Sequence, residues 1–163
     1  KKSVALSPDE VVRCVVDVVV ETTSNLGLQF DLIVEPCAGD GRLGFAVKKA
    51  AKKEAVLFDV FPRHRAVQKF DLLNDHHVKT VIKRLSGHRC LIVLNPPFNP
   101  KEKLMRICSD ALGLEGAEFC VLVLPGLYLD LKQLDKLLPR MWHVGHIRKL
   151  ESQLFDQPLL QKS

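Results

Sequence analysis

Apolar residues in this chain gather into short unbroken runs set between longer mixed stretches. Runs near 31–35, 55–59, 67–70, 90–94 and 118–124 are short enough for strands, and Cys90-Leu91-Ile92-Val93-Leu94 and Phe119-Cys120-Val121-Leu122-Val123-Leu124 contain no polar position. Strands without polar positions are covered on both faces, as in parallel sheets. The stretches between them are assigned to helices, one of them from Phe45 to about Lys53. Ahead of the first strand, a Val-rich segment predicts a helix at about 7–23. Ser7 is placed to cap it, Pro8 suits its first turn and Glu10 completes a capping box. Late in the chain, a helix near 130–138 precedes two short runs at about 143–148 and 150–155, read as an antiparallel hairpin. Strands alternating with helices in this way predict an α/β protein with a doubly wound, mostly parallel sheet.

Two loops at predicted strand ends carry the candidate chemistry. Asn95-Pro96-Pro97-Phe98 follows the 90–94 strand directly, where open α/β sheets bind their ligands. Each proline fixes its own φ, and each holds the residue before it extended. Neither proline has an N–H, so the Asn95 amide oxygen and the proline carbonyls remain as a rigid set of acceptors beside the Phe98 ring. That arrangement suits a flat group bearing an exocyclic amine, such as a nucleobase. The second loop, Glu35-Pro36-Cys37-Ala38-Gly39-Asp40-Gly41-Arg42-Leu43-Gly44, joins the first strand to a helix in the layout of a nucleotide-binding turn. Its glycines let the backbone approach a ligand closely. Gly39, Gly41 and Gly44 also satisfy the dinucleotide fingerprint, with Asp59 near the offset of a ribose-binding acid.

The Asn95–Phe98 tetrapeptide resembles the (N/D)PP(Y/F) signature of S-adenosylmethionine-dependent amino-methyltransferases, above all those acting on N6 of adenine. Glu35-Pro36 ahead of the glycines is foreign to the dinucleotide fingerprint but similar to the first motif of the same methyltransferases. The resemblance runs from about Leu6 to about Phe155 and implies the Rossmann-like class I topology with a seven-stranded sheet. It implies S-adenosylmethionine as cofactor, held by Glu35, Pro36, Cys37, Ala38, Gly39 and Gly41, with Asn95 at its methyl end. Asp59 would take the ribose hydroxyls as a charge-assisted pair. Val60 or Phe61 would pack on the adenine face, and Asp71 would accept the adenine amino group. The helix start at Ser7 and Pro8 would close the pocket over the methionine moiety. Asn95, Pro96, Pro97 and Phe98 would be the catalytic residues.

The sulfonium methyl donor is already activated, so no metal and no covalent intermediate are required, and catalysis amounts to aligning nitrogen, methyl and sulfur. Acceptors at Asn95 and Pro96 would bind the amino hydrogens most strongly in the transition state. Phe98 would stack on a base that is flipped out or unpaired. The same motif serves methyltransferases of glutamine side-chain amides in translation factors, and a non-catalytic scaffold subunit of this fold is the third alternative.

Composition bounds these expectations. At 163 residues and 47% hydrophobic content the chain suits one methyltransferase domain over 1–163, with its catalytic core at about 30–157. That leaves no room for a separate target-recognition domain, so flanking segments, a partner protein or the shape of a structured RNA would supply substrate choice. The net charge of +5 is modest, but Lys101, Lys103 and Arg106 follow the tetrapeptide, and Arg140, His143, His146, Arg148 and Lys149 cluster later. Basic residues at a catalytic rim fit a nucleic-acid substrate. Five cysteines without framework spacing fit a reducing intracellular compartment, cytoplasmic, nuclear or organellar. No stretch has the length of a membrane span, since Asp17 and Glu21 interrupt the Val-rich helix. Cys37 reads as a small buried residue, not a nucleophile, His76-His77 as a solvated helix start, and Trp142 and Tyr128 as packing residues. The lysines at 48, 49, 52 and 53 read as the solvated face of their helix.

Overall fold

A computed structural model describes residues 8–125, 131–149 and 155–162. Its elements in chain order are α1 (Pro8–Leu26), β1 (Leu32–Glu35), α2 (Arg42–Ala51), β2 (Glu54–Asp59), β3 (Gln68–Lys69), α3 (Asp75–Leu85) and β4 (Cys90–Leu94). They continue with α4 (Lys101–Leu112), β5 (Ala117–Leu122), β6 (Leu124–Pro125), α5 (Leu131–Leu137), β7 (Trp142–Lys149) and β8 (Phe155–Lys162). The strands form one sheet in the order β3-β2-β1-β4-β5-β8-β6, with β7 on β8. Pairing is parallel from β3 through β5 and antiparallel at β8.

The α/β, doubly wound class is as expected; the count of seven strands is not. Among the described residues the sheet has eight strands, of which five run parallel. The extra segment arises where the predicted 118–124 strand breaks at Val123, whose N–H donates to Leu94 O at 2.9 Å. The second hairpin strand also lies later than expected, at Phe155–Lys162, while 150–154 fall outside the described residues. β8 contains Pro158, a residue that speaks against a strand in sequence. Helix α2 starts at Arg42, ahead of Phe45, because Gly41 (φ 80°) turns the chain into it.

Alternation along the parallel strands sorts their side chains into two layers. Leu32, Val34, Ile92, Leu94, Cys120 and Leu122 pack with α3, α4 and α5. Ile33, Leu91, Val93, Phe119 and Val121 pack on the opposite face with Val15, Val18 and Val19 of α1 and Leu43 and Val47 of α2. Coverage of both faces explains the unbroken apolar runs. Trp142 is a packing residue as read, buried with its indole N–H donating to Leu112 O at 3.2 Å. Tyr128 lies outside the described residues. No described helix is long and apolar enough to cross a membrane.

Candidate active site

β1 and β4 are neighbours, yet the chain leaves β1 for β2 on the other side, so the topological switch point lies between them. Ligand crevices of open α/β sheets form at the carboxyl ends of such strands. Glu35 ends β1 and Asn95 follows β4, so the two motifs flank the switch point. A cleft of about 520 Å³ opens there, within the size range of small-molecule sites. Glu35, Cys37 and Ala38 line it from one motif, and Asn95 and Phe98 from the other. Val11 and Val12 of α1 also line the cleft, so the predicted cap helix does face it. Ser7 lies outside the described residues, and Pro8 is the first residue of α1.

The glycine loop is built by backbone hydrogen bonds. Ala38 N donates to Phe58 O at 2.8 Å, Gly41 N to Ala38 O at 2.8 Å and Phe45 N to Gly41 O at 2.9 Å. Gly44 serves packing, although the motif suggested ligand approach. A Cβ there would collide with a Leu57 methyl and with Glu35 Oε2. Gly44→Ala is therefore expected to cost about 1–3 kcal/mol by overpacking, seen as a lowered unfolding midpoint. An unchanged midpoint would contradict this reading.

Glu35 is 1% exposed, and its Oε2 has no hydrogen-bond partner among the described residues. Burial pushes its carboxyl up to about 8 against the pull of the Gly44 N–H, with the Asp40 and Asp59 charges adding to the rise. A buried polar atom without a partner, on the wall of a cleft, is a place for a ligand donor or cation. The raised value also links this group to stability. The folded chain keeps the Glu35 proton up to about pH 8, whereas an unfolded glutamate releases it near 4.5. Between those values the folded state binds more protons, so its stability falls as pH rises. The contribution is complete below 4.5 and lost through about 8. Glu35→Gln should flatten this part of the melting-temperature profile and stabilise the protein at the alkaline end. Parallel profiles for the two proteins would refute the assignment.

Asp59, at the end of β2, holds the loop in place. Its Oδ2 accepts from Gly39 N at 2.7 Å and its Oδ1 from Phe61 N at 2.8 Å. Asp71 Oδ1 accepts from Leu73 N at 2.9 Å, and Asp71 N donates to His77 Nδ1 at 2.9 Å. His77 also stacks on Phe70, so only His76 of the pair is the exposed helix-start residue expected. Neither Asp59 nor Asp71 lines the cleft itself. Val60 and Phe61 are exposed, Phe61 at 79%. Pro36 and Pro96 are buried, Asn95 and Pro97 exposed and Phe98 half-buried. Burial pushes the Cys37 thiol up to about 12, with Asp59 and Glu35 adding to it, which fits an inert residue.

Sequence reading missed three charged members of the cleft wall. Asp40 and Arg42 pair with each other at 3.6 Å, and Arg42 reaches Asp9 of α1 at 3.2 Å. Arg63 also lines the cleft; its backbone N donates to Gly39 O at 3.0 Å and its guanidinium lies against Gly39. The run Phe61-Pro62-Arg63-His64-Arg65 after the strand-end acid was the available signal. None of the late basic residues is among those that line the cleft. Among the described residues β7 pairs only with β8, on the side away from β5, its start level with the amino end of β5 and its end level with Leu124.

No family model matches the chain, and no curated protein matches it. Solved structures do. The ribosomal protein L11 methylase of Lactobacillus delbrueckii subsp. bulgaricus superposes with a TM-score of 0.60 at 13% identity, over 100% of this chain and 84% of that one. A chain of the E. cuniculi Mtq2–Trm112 complex, responsible for methylation of the eRF1 termination factor, gives 0.57 at 15% identity, over 90% and 94%. A candidate RNA methyltransferase from Pyrococcus horikoshii gives 0.54 at 14%, over 91% and 84%. At these identities the likeness is one of fold: the mostly parallel α/β sheet of this chain is shared with these methyltransferases.

Proposed function

We propose that the chain transfers a methyl group from S-adenosylmethionine to an exocyclic amine, N6 of adenine in RNA or DNA. The observation that carries the proposal is the meeting of both motifs on one cleft at the switch point. The glycine loop and the buried, unpartnered oxygen of Glu35 suit the cofactor, whose ammonium or hydroxyl groups can donate to it. Asp59 and Asp71 stand at the ends of neighbouring strands, where the adenosine half would extend beyond the cleft. On the other side, the Asn95 side chain is exposed and Phe98 offers part of its ring. The donor's charge makes the methyl transferable, so the residues' task is alignment and acceptance of the amino hydrogens as nitrogen pyramidalises.

A second reading, methylation of a glutamine amide in a translation factor, gains from one comparison. The matched chain of the eRF1-methylating complex is covered over 94% of its length, so small size does not argue against a protein substrate. An amide nitrogen needs the same acceptors. Incubation with labelled S-adenosylmethionine and separate RNA, DNA and protein fractions distinguishes the two. Label in adenine of a nucleic-acid fraction is expected. Label confined to glutamine of a protein would transfer the assignment to the second reading, and label nowhere would favour a scaffold.

A further inference from the structure

The two segments that border the cleft carry cations without an ion pair among the described residues. Asp9 and Asp40 are engaged with Arg42, and Asp59 with two backbone amides. Four exposed cations near the cleft have neither an ion pair nor a side-chain hydrogen bond among the described residues: Arg63, Arg65, Lys101 and Lys103. Arg63 and Arg65 come from the loop after β2, and Lys101 and Lys103 from the first turn of α4, directly behind Phe98 and Asn99. Arg63 is on the cleft wall, and Lys103 is close enough for its charge to act on Cys37 of that wall.

The loop that carries the two arginines is held in shape. Phe61 N is fixed to Asp59 and Arg63 N to Gly39 O, while His64 accepts from Val67 N through its carbonyl and from Ala66 N through Nδ1. The His64 ring meets Phe45 edge-on at 5.0 Å. Its two arginines thus leave a backbone held in place, which lowers the cost of ordering the loop on binding an anion. Two unpaired cations from each of two rims suit a polyanion lying across the opening, and they contact its phosphates, not its bases.

Resting on the adenine reading above, we infer that Arg63 and Arg65 from one rim, and Lys101 and Lys103 from the other, hold the phosphates of a single-stranded nucleic acid on either side of the base presented to Asn95 and Phe98. A single strand reaches the cleft without the unstacking cost that a duplex would bear.

The test measures binding of fluorescent, adenine-containing single-stranded RNA and DNA of about 15 nucleotides, with a duplex of the same sequence alongside. Wild type is compared with Arg63→Ala/Arg65→Ala and Lys101→Ala/Lys103→Ala at several salt concentrations. Four phosphate contacts to a single strand give a logarithmic salt slope of about −2.8, or a loss of about 50-fold between 50 and 200 mM. Each double variant should reduce the slope to about −1.4, or about 7-fold over the same range. Slopes equal to wild type in both variants would overturn the proposal, as would tighter binding of the duplex or no binding to any oligonucleotide. S-adenosylmethionine affinity is measured on the same proteins. Cofactor binding and adenine methylation intact in the wild type, with salt slopes unchanged in both variants, sink this inference alone. Absent cofactor binding with the expected salt slopes sinks the methyl-transfer reading and leaves the rim supported.

Discussion

Asn95→Ala should lower methyl transfer on the order of a hundred- to thousand-fold while cofactor affinity stays nearly unchanged. The residue sits where β4 leaves the sheet, with Leu94 fully buried before it and Pro96 buried after it. Val123 N–H anchors the same strand end through Leu94 O. The backbone is therefore placed by its neighbours, and the exposed amide is free to act on substrate. Truncating an exposed side chain there should alter stability by no more than about 0.5 kcal/mol. An acceptor used chiefly in the transition state shows its loss in kcat more than in binding. Turnover at the wild-type rate, or a folded variant unable to bind cofactor, would remove Asn95 from the catalytic role. Phe98→Ala should act differently, weakening substrate by about 1–3 kcal/mol through lost stacking, with Phe98→Tyr tolerated.

Asp59→Ala should produce the largest loss of cofactor affinity, about 1.5–3 kcal/mol, or about 10- to 150-fold in Kd. The expectation has two sources. Its carboxylate is the ribose acceptor of the proposed site, and it also accepts from Gly39 N and Phe61 N. Removing it thus frees the glycine loop and the loop that carries Arg63. Asp59→Asn keeps one acceptor oxygen and should fall between the two. Calorimetric titration checks the order; equal affinity for all three proteins would deny Asp59 any part in binding.

Much of the fold could be read from the chain because β1, β4 and β5 are covered on both sides and so carry unbroken apolar runs. β3 pairs over only Gln68–Lys69, both exposed, and leaves little trace in the pattern. The placement of β8 was hidden by Pro158 and by its mix of polar residues, since its pairing with β5 and β7 comes from backbone contacts distant in sequence. At the site, Glu35, Asn95 and Phe98 were legible because strand ends and proline geometry fix where such residues go. Gly44 was found for the wrong reason: its hydrogen side chain makes room for Leu57 and the Glu35 carboxyl. Arg63 has no periodic signature, and its position depends on a hydrogen bond to Gly39 that no local pattern reveals. The late basic residues are grouped by their order along the chain, which says nothing about which sheet edge carries them: β7 pairs with β8, beyond β5.

Everything proposed for the cleft depends on which cofactor its glycine loop receives. Glycines 39, 41 and 44 alone would equally admit a dinucleotide. Isothermal titration of the wild-type protein with S-adenosylmethionine and, separately, with NAD decides between them. Saturable heat with S-adenosylmethionine and none with NAD is the predicted result, and heat with NAD alone would contradict the account.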